Sequence, residues 1–136
     1  MPKEQPFAPK ANPLSAALRK FATIILIAAA FAGVWYFGKW RGRQKMDKFA
    51  QCLSDKGAIM YGLFWCPHCE EQKEEFGSSF QNVRYMECGT QDHKEQPQCS
   101  QLGLKDFPTW QFSDAERHVG GLSLQDLGAK TGCPVP

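Results

Sequence analysis

Acidic side chains are scarce at the front of this 136-residue chain. Residues 1–48 hold two of them against nine basic ones, and residues 49–136 reverse the balance with twelve against seven, so charges of +7 and −5 hide inside a net +2. The body therefore lacks the basic surface that a nucleic-acid binder carries on its folded domain, and no nucleic-acid partner is expected. Length is also short: one ordinary domain and an appendage fit, two sizeable cores do not. Collagen-like, low-complexity and wholly disordered classes are excluded in turn, because 43% hydrophobic and 12% aromatic residues can supply a core.

Charge is missing altogether from Phe21 to Gly38 (FATIILIAAAFAGVWYFG), a run bracketed by Arg19 and Lys20 before it and Lys39, Arg41 and Arg43 after it. Eighteen helical residues reach about 27 Å, close to the roughly 30 Å of a hydrocarbon core, and the flanking Lys and Arg can snorkel outward. Residues 21–38 are therefore expected to form a transmembrane anchor. Trp35, Tyr36 and Trp40 crowd its C-terminal end, where amphipathic rings favour the membrane interface. A cleaved signal peptide is the rival reading, since Ala30-Phe31-Ala32 before Gly33 has the small-x-small form of a processing site, although the apolar run continues past it. Residues 1–20, with Pro2, Pro6, Pro9 and Pro13, are expected to be a disordered basic tail.

In the body, Met46, Phe49, Ala50 and Leu53 recur at helical spacing within residues 44–54, and Gly57 ends that helix. A continuous apolar run, Ala58 to Phe64, is expected as a buried strand, and Glu70 to Phe76 as a helix. Val83 to Cys88 alternates like a second strand, and a short helix is expected near Cys99 to Leu102. Phe107 to Phe112 and Arg117 to Gly120 follow as two strands joined by a turn around Asp114, and Ser123 caps a last helix over Leu124 to Lys130. The predicted class is α/β, with a mixed central sheet sandwiched by helices over residues 43–136.

Between the first strand and its helix stands Trp65-Cys66-Pro67-His68-Cys69. A Cys-x-x-Cys at that place sets its first thiol at a helix N-terminus, where unpaired N–H groups and the helix dipole favour a thiolate. Cys66 is the expected nucleophile and Cys69 the resolving thiol, spaced to close a Cys66–Cys69 disulfide. Pro67 suits a first turn, where a missing N–H costs nothing. His68, when protonated, adds positive charge beside Cys66, whereas Glu70 and Glu71 oppose it; a solvated His68 without a role is the plain alternative. Trp65 is taken with the motif as a site residue, with simple burial as its alternative. Zinc binding competes with redox chemistry for any Cys-x-x-Cys, but there is no second short-spaced pair, so no metal is expected. Pro108 stands before a strand that runs beside the redox helix and is a candidate cis-proline, leaving the Phe107 carbonyl free to meet an extended substrate.

Trp65 to Cys69, the strand before them and Phe107-Pro108-Thr109-Trp110 together resemble the thioredoxin superfamily over nearly all of residues 43–136. More narrowly, FAQCL at 49–53, MYGLFWCPHCEEQKEEFGSSF at 60–80, YMEC at 85–88, FPTW at 107–110 and TGC at 131–133 are similar to the thioredoxin-like domain found fused to, or partnering, bacterial and plant homologues of vitamin K epoxide reductase. The CPHC motif also resembles that of the DsbA-type periplasmic oxidases. The resemblance implies a thioredoxin-like fold, an exchange pair at Cys66 and Cys69, a cis-Pro108, and no cofactor beyond the redox-active disulfide. With one apolar span here, it also implies that any quinone-reducing vitamin K epoxide reductase-like partner is a separate membrane protein.

Four cysteines remain. Cys52–Cys133 would tie the first domain helix to the last, and Cys88–Cys99 would close a loop after the second strand, while the other pairings would cross the predicted layers. Buried free thiols are the alternative, and Cys88 with Cys99 could be either a staple or an electron relay. The function expected is a membrane-anchored thiol-disulfide oxidoreductase acting on protein thiols and disulfides, an oxidase or isomerase, with a reductase or a non-catalytic zinc-stabilised module as alternatives. Basic residues flank the anchor on both sides, so topology rests on the cysteines: a domain with spare pairs gains from an oxidising compartment, which puts the N-terminus in the cytoplasm and the body outside.

Overall fold

The computed structural model describes residues 13–136; residues 1–12 of the expected tail lie outside the described residues. The chain divides into two compact units, one ending at Trp40 and the other spanning Arg41–Pro136. Helix α1 runs Pro13–Asp55. Its start corrects the tail: Pro13 is tolerated in a first turn and Ser15 to Lys20 are mostly good helix formers, so residues 13–20 are helical. Residues 39–43, expected to part the anchor from the first domain helix, are helical too. They contain no proline, and the roughly 1 kcal/mol that Gly42 costs is too little to break the run. Within the first unit, Ala17 to Trp40 are exposed throughout, and among the described residues this is the one helix long and apolar enough to cross a membrane.

In the second unit the four strands β1 (Ile59–Gly62), β2 (Tyr85–Glu87), β3 (Thr109–Gln111) and β4 (Arg117–Val119) form one sheet in the order β2-β1-β3-β4. β1 pairs parallel with β2 and antiparallel with β3, and β3 pairs antiparallel with β4, so the sheet is mixed. The parallel pair needs a crossover, which helix α2 (Pro67–Phe76) and a 3₁₀ helix over Gly77–Asn82 supply. The 3₁₀ turn was not expected. Gly77 at φ +54 ends α2 there, a conformation that glycine adopts at no steric cost. Helix α3 (Pro97–Gln101) precedes β3, and α4 (Leu124–Thr131) closes the domain with Ser123 at its N-cap, accepting from the Asp126 N–H.

The pleat sends alternate side chains of β1 into two cores. Met60 and its cross-strand partner Trp110 lie, both fully buried, with Phe49, Ala50 and Leu53 of α1, Phe76 of α2 and Leu127 of α4. Tyr61 lies with Cys88, Cys99 and Leu104 in the other core, with Met86, its partner on β2, packed against them. Burying one such large apolar side chain contributes about 1.5–3 kcal/mol. Two disulfides, Cys52–Cys133 and Cys88–Cys99, cross-link the domain, the first joining the last turns of α1 to the segment after α4.

Candidate active site

Cys66 is the N-cap of α2 and Pro67 its first residue. Cys66 has extended backbone (φ −85°, ψ 116°), its N–H donates to Leu63 O at 3.1 Å, and its own carbonyl accepts from the N–H groups of Cys69 and Glu70 at 3.1 and 3.2 Å. No side chain caps the remaining N–H groups of this first turn. Cys66 and Cys69 carry free thiols here, the reduced state of the pair: Cys66 is half-buried and Cys69 fully buried. Burial pushes the Cys69 thiol up to about 12, the hydrogen bond with Cys66 adds to this, and the Lys73 ammonium opposes it.

The Phe107–Pro108 peptide bond is cis, and the Phe107 carbonyl accepts from Cys66 Sγ at 3.5 Å across 41 residues of sequence. Pro108 is itself fully buried. Beside this contact lies a groove of about 440 Å³ walled by His68, Glu71, Gln72 and Glu75 of α2, by Phe107 and Pro108, and by residues 120–123. His68 is exposed and its Nδ1 lies 3.1 Å from Glu71 Oε2, so its nearest charged neighbour is a carboxylate. Trp65, half-buried, stands edge-on to Phe64 at 4.6 Å and tilted against His93 at 4.9 Å, which joins the loop before the motif to the loop after β2. That packing explains Gly89: a Cβ there would sit 2.4 Å from the Trp65 ring.

Three residues the sequence reading passed over support this site. Glu87, at the end of β2, accepts from the N–H groups of Phe64 and Gly89 at 3.1 and 2.7 Å and from the Tyr85 hydroxyl at 2.7 Å, holding the turn into the motif. Burial, and secondarily Glu87, raises the Tyr85 phenol above its usual range. Gln72, one turn beyond Cys69, is buried in the apolar face of α2; its spacing from Cys69 and Phe76 (i, i+3, i+7) carried that signal, hidden inside a run of charged helix formers. Among the described residues no three His, Cys, Asp or Glu side chains converge into a metal-binding group.

No protein-family model matches the chain. It is similar to the thiol-disulfide oxidoreductase LTO1 of Arabidopsis thaliana, 38% identical over 88 residues. Those residues cover 61% of this chain and 23% of that relative, so the chain spans about a quarter of the relative's length.

Proposed function

We propose that this chain is a membrane-anchored thiol-disulfide oxidoreductase of thioredoxin-like fold, exchanging disulfides with protein substrates at Cys66 and Cys69 as an oxidase or isomerase. The observation that carries this is the state of its cysteines. Four are committed to disulfides, and the two left free open α2, one accessible and one buried, with a backbone carbonyl already against the accessible thiol. The likeness to a named thiol-disulfide oxidoreductase supports the same chemistry.

In the oxidising direction the pair begins as a Cys66–Cys69 disulfide. A substrate thiolate attacks Cys66 Sγ, a substrate–Cys66 bond forms, the Cys66–Cys69 bond breaks, and the electron pair leaves on Cys69, which takes a proton. A second substrate thiolate then attacks the substrate sulfur of that mixed disulfide and expels Cys66 as thiolate. The substrate loses two electrons and the pair gains them. A buried thiol that holds its proton as firmly as Cys69 is slow to attack back, and this leaves Cys66 as the attacking and attacked sulfur. Isomerisation uses the same Cys66 thiolate against a wrong substrate disulfide. Electrons held by the dithiol pass to a quinone-linked membrane partner, by resemblance a homologue of vitamin K epoxide reductase, with α1 as the anchor and the body on the extracytoplasmic side.

Trapping tests the roles. Cys69→Ser should accumulate mixed disulfides with cellular proteins because the attacker survives without its resolver, and Cys66→Ser should accumulate none. Adducts on Cys69 in the Cys66→Ser chain would reverse the assignment, and adducts in neither variant would sink the exchange reading.

A further inference from the structure

Gln72 is 3% exposed, and its amide uses its full hydrogen-bonding capacity. Oε1 accepts from the Leu122 N–H at 2.6 Å and from the Trp110 indole N–H at 3.2 Å, while Nε2 donates to the Leu122 carbonyl at 3.0 Å and to Glu75 Oε2 at 3.2 Å. The Leu122 backbone is thereby gripped at both its N–H and its C=O, as a neighbouring strand would grip it. Around this amide meet three pieces that are far apart in sequence. One is α2, whose Cys69 lies one turn before Gln72. The second is β3, whose Trp110 follows Pro108 by two residues. The third is the Gly120–Ser123 segment, tied to the same proline because the Gly120 N–H donates to Pro108 O at 2.7 Å.

The groove beside the Cys66–Phe107 contact is walled by α2, by Phe107 and Pro108 ahead of β3, and by residues 120–123. On the oxidoreductase reading above, we infer that Gln72 is a positioning residue for substrate: it fixes the 120–122 wall and β3 relative to the redox helix, so that an extended peptide laid in the groove presents its sulfur to Cys66. An uncharged side chain suits this task. It holds the wall equally in the dithiol and disulfide states, whereas a carboxylate buried one turn from Cys69 would disfavour any thiolate there and change its own protonation in response. Gly121 runs close against this amide, since a Cβ there would sit 3.3 Å from Gln72 Oε1.

The test uses the oxidised full chain in detergent micelles and two reductants: a peptide of about ten residues bearing two cysteines, which fills the groove, and dithiothreitol, which does not. Gln72→Met keeps the length and apolar contacts of the side chain and removes all four hydrogen bonds. The expected result is a fall of about tenfold in the ratio of the peptide's kcat/KM to the dithiothreitol rate constant, the equivalent of one or two neutral hydrogen bonds, expressed as a higher KM. An unchanged ratio, with both rates preserved or both lowered alike, overturns the inference. Loss of exchange with both reductants in the unsubstituted chain would instead overturn the oxidoreductase reading on which it rests. A second measurement needs no variant at Gln72: in the Cys69→Ser chain, the Leu122 amide and Trp110 indole resonances should shift and exchange more slowly when the peptide is trapped on Cys66. Resonances indifferent to the trapped peptide would also overturn it.

Discussion

Resolution of a mixed disulfide by Cys69 should accelerate about tenfold for each unit of pH and fail to level off anywhere near neutrality. An ordinary cysteine thiol at 9.0 is about 1% ionised at pH 7, whereas Cys69, raised to about 12, is ionised to about one part in 10⁵, five units below its midpoint. The chief cause, burial, persists once Cys66 is linked to substrate; the smaller contribution of the Cys66 hydrogen bond is lost, so the midpoint in the mixed disulfide should fall somewhat and stay above 9. The sign for stability is the opposite of the sign for rate. A folded-state value above the unfolded one leaves stability intact below about pH 9 and erodes it as pH rises from there toward 12, so the useful window is about pH 6 to 9. The assay loads Cys66 with thionitrobenzoate, removes excess reagent and follows release of the coloured thiol by stopped flow across that window. A straight line of slope about one in log rate against pH is expected. A plateau at or below pH 8.5 would mean that Cys69 ionises as an ordinary thiol, and the role given to its burial would be wrong.

Removing Cys52–Cys133, 81 residues apart, should cost about 4.5 kcal/mol by loop-closure entropy, and removing Cys88–Cys99, 11 apart, about 3 kcal/mol; chemical denaturation of the paired Cys→Ala variants would refute this ordering if the shorter loop mattered more. Glu87→Gln turns a three-fold acceptor into a group that presents an N–H₂ to backbone donors, and should lower stability by about 1–3 kcal/mol in the same assay, with no loss refuting the anchoring role. A membrane-impermeant thiol reagent should label Cys66 in intact spheroplasts after mild reduction, and labelling only after lysis would place the body in the cytoplasm.

What the sequence disclosed depended on the range of the interaction concerned. Cys66 and Cys69 were legible because their chemistry is set by the few residues around them: a buried strand before, a proline in the first turn, good helix formers after. The long apolar helix was legible because eighteen uncharged residues answer to a single length rule, yet its boundaries were not, since nothing in residues 39–43 is costly enough to end a helix. Glu87 stayed hidden because its task, accepting from Phe64 and Gly89, exists only once β2 lies beside β1. Trp65 and His93 meet for the same reason, and His68, read as a partner for Cys66, has Glu71 as its partner because residues three apart share a helix face. The cysteine pairings were narrowed by which layers they would join, a property of topology rather than of local pattern.

The Cys52–Cys133 bond makes a covalent ring of everything from Cys52, near the end of α1, to Cys133, three residues before Pro136. A protease that cut the backbone anywhere between those cysteines would therefore release nothing. The C-terminal fragment would stay fastened to α1 through sulfur, and a cut between Cys88 and Cys99 would be bridged a second time. A nicked molecule would migrate as intact on a gel without reductant and fall into two pieces with it. In a compartment rich in proteases, such a domain would keep its thiols tethered to α1 after damage that would cast a linear chain adrift.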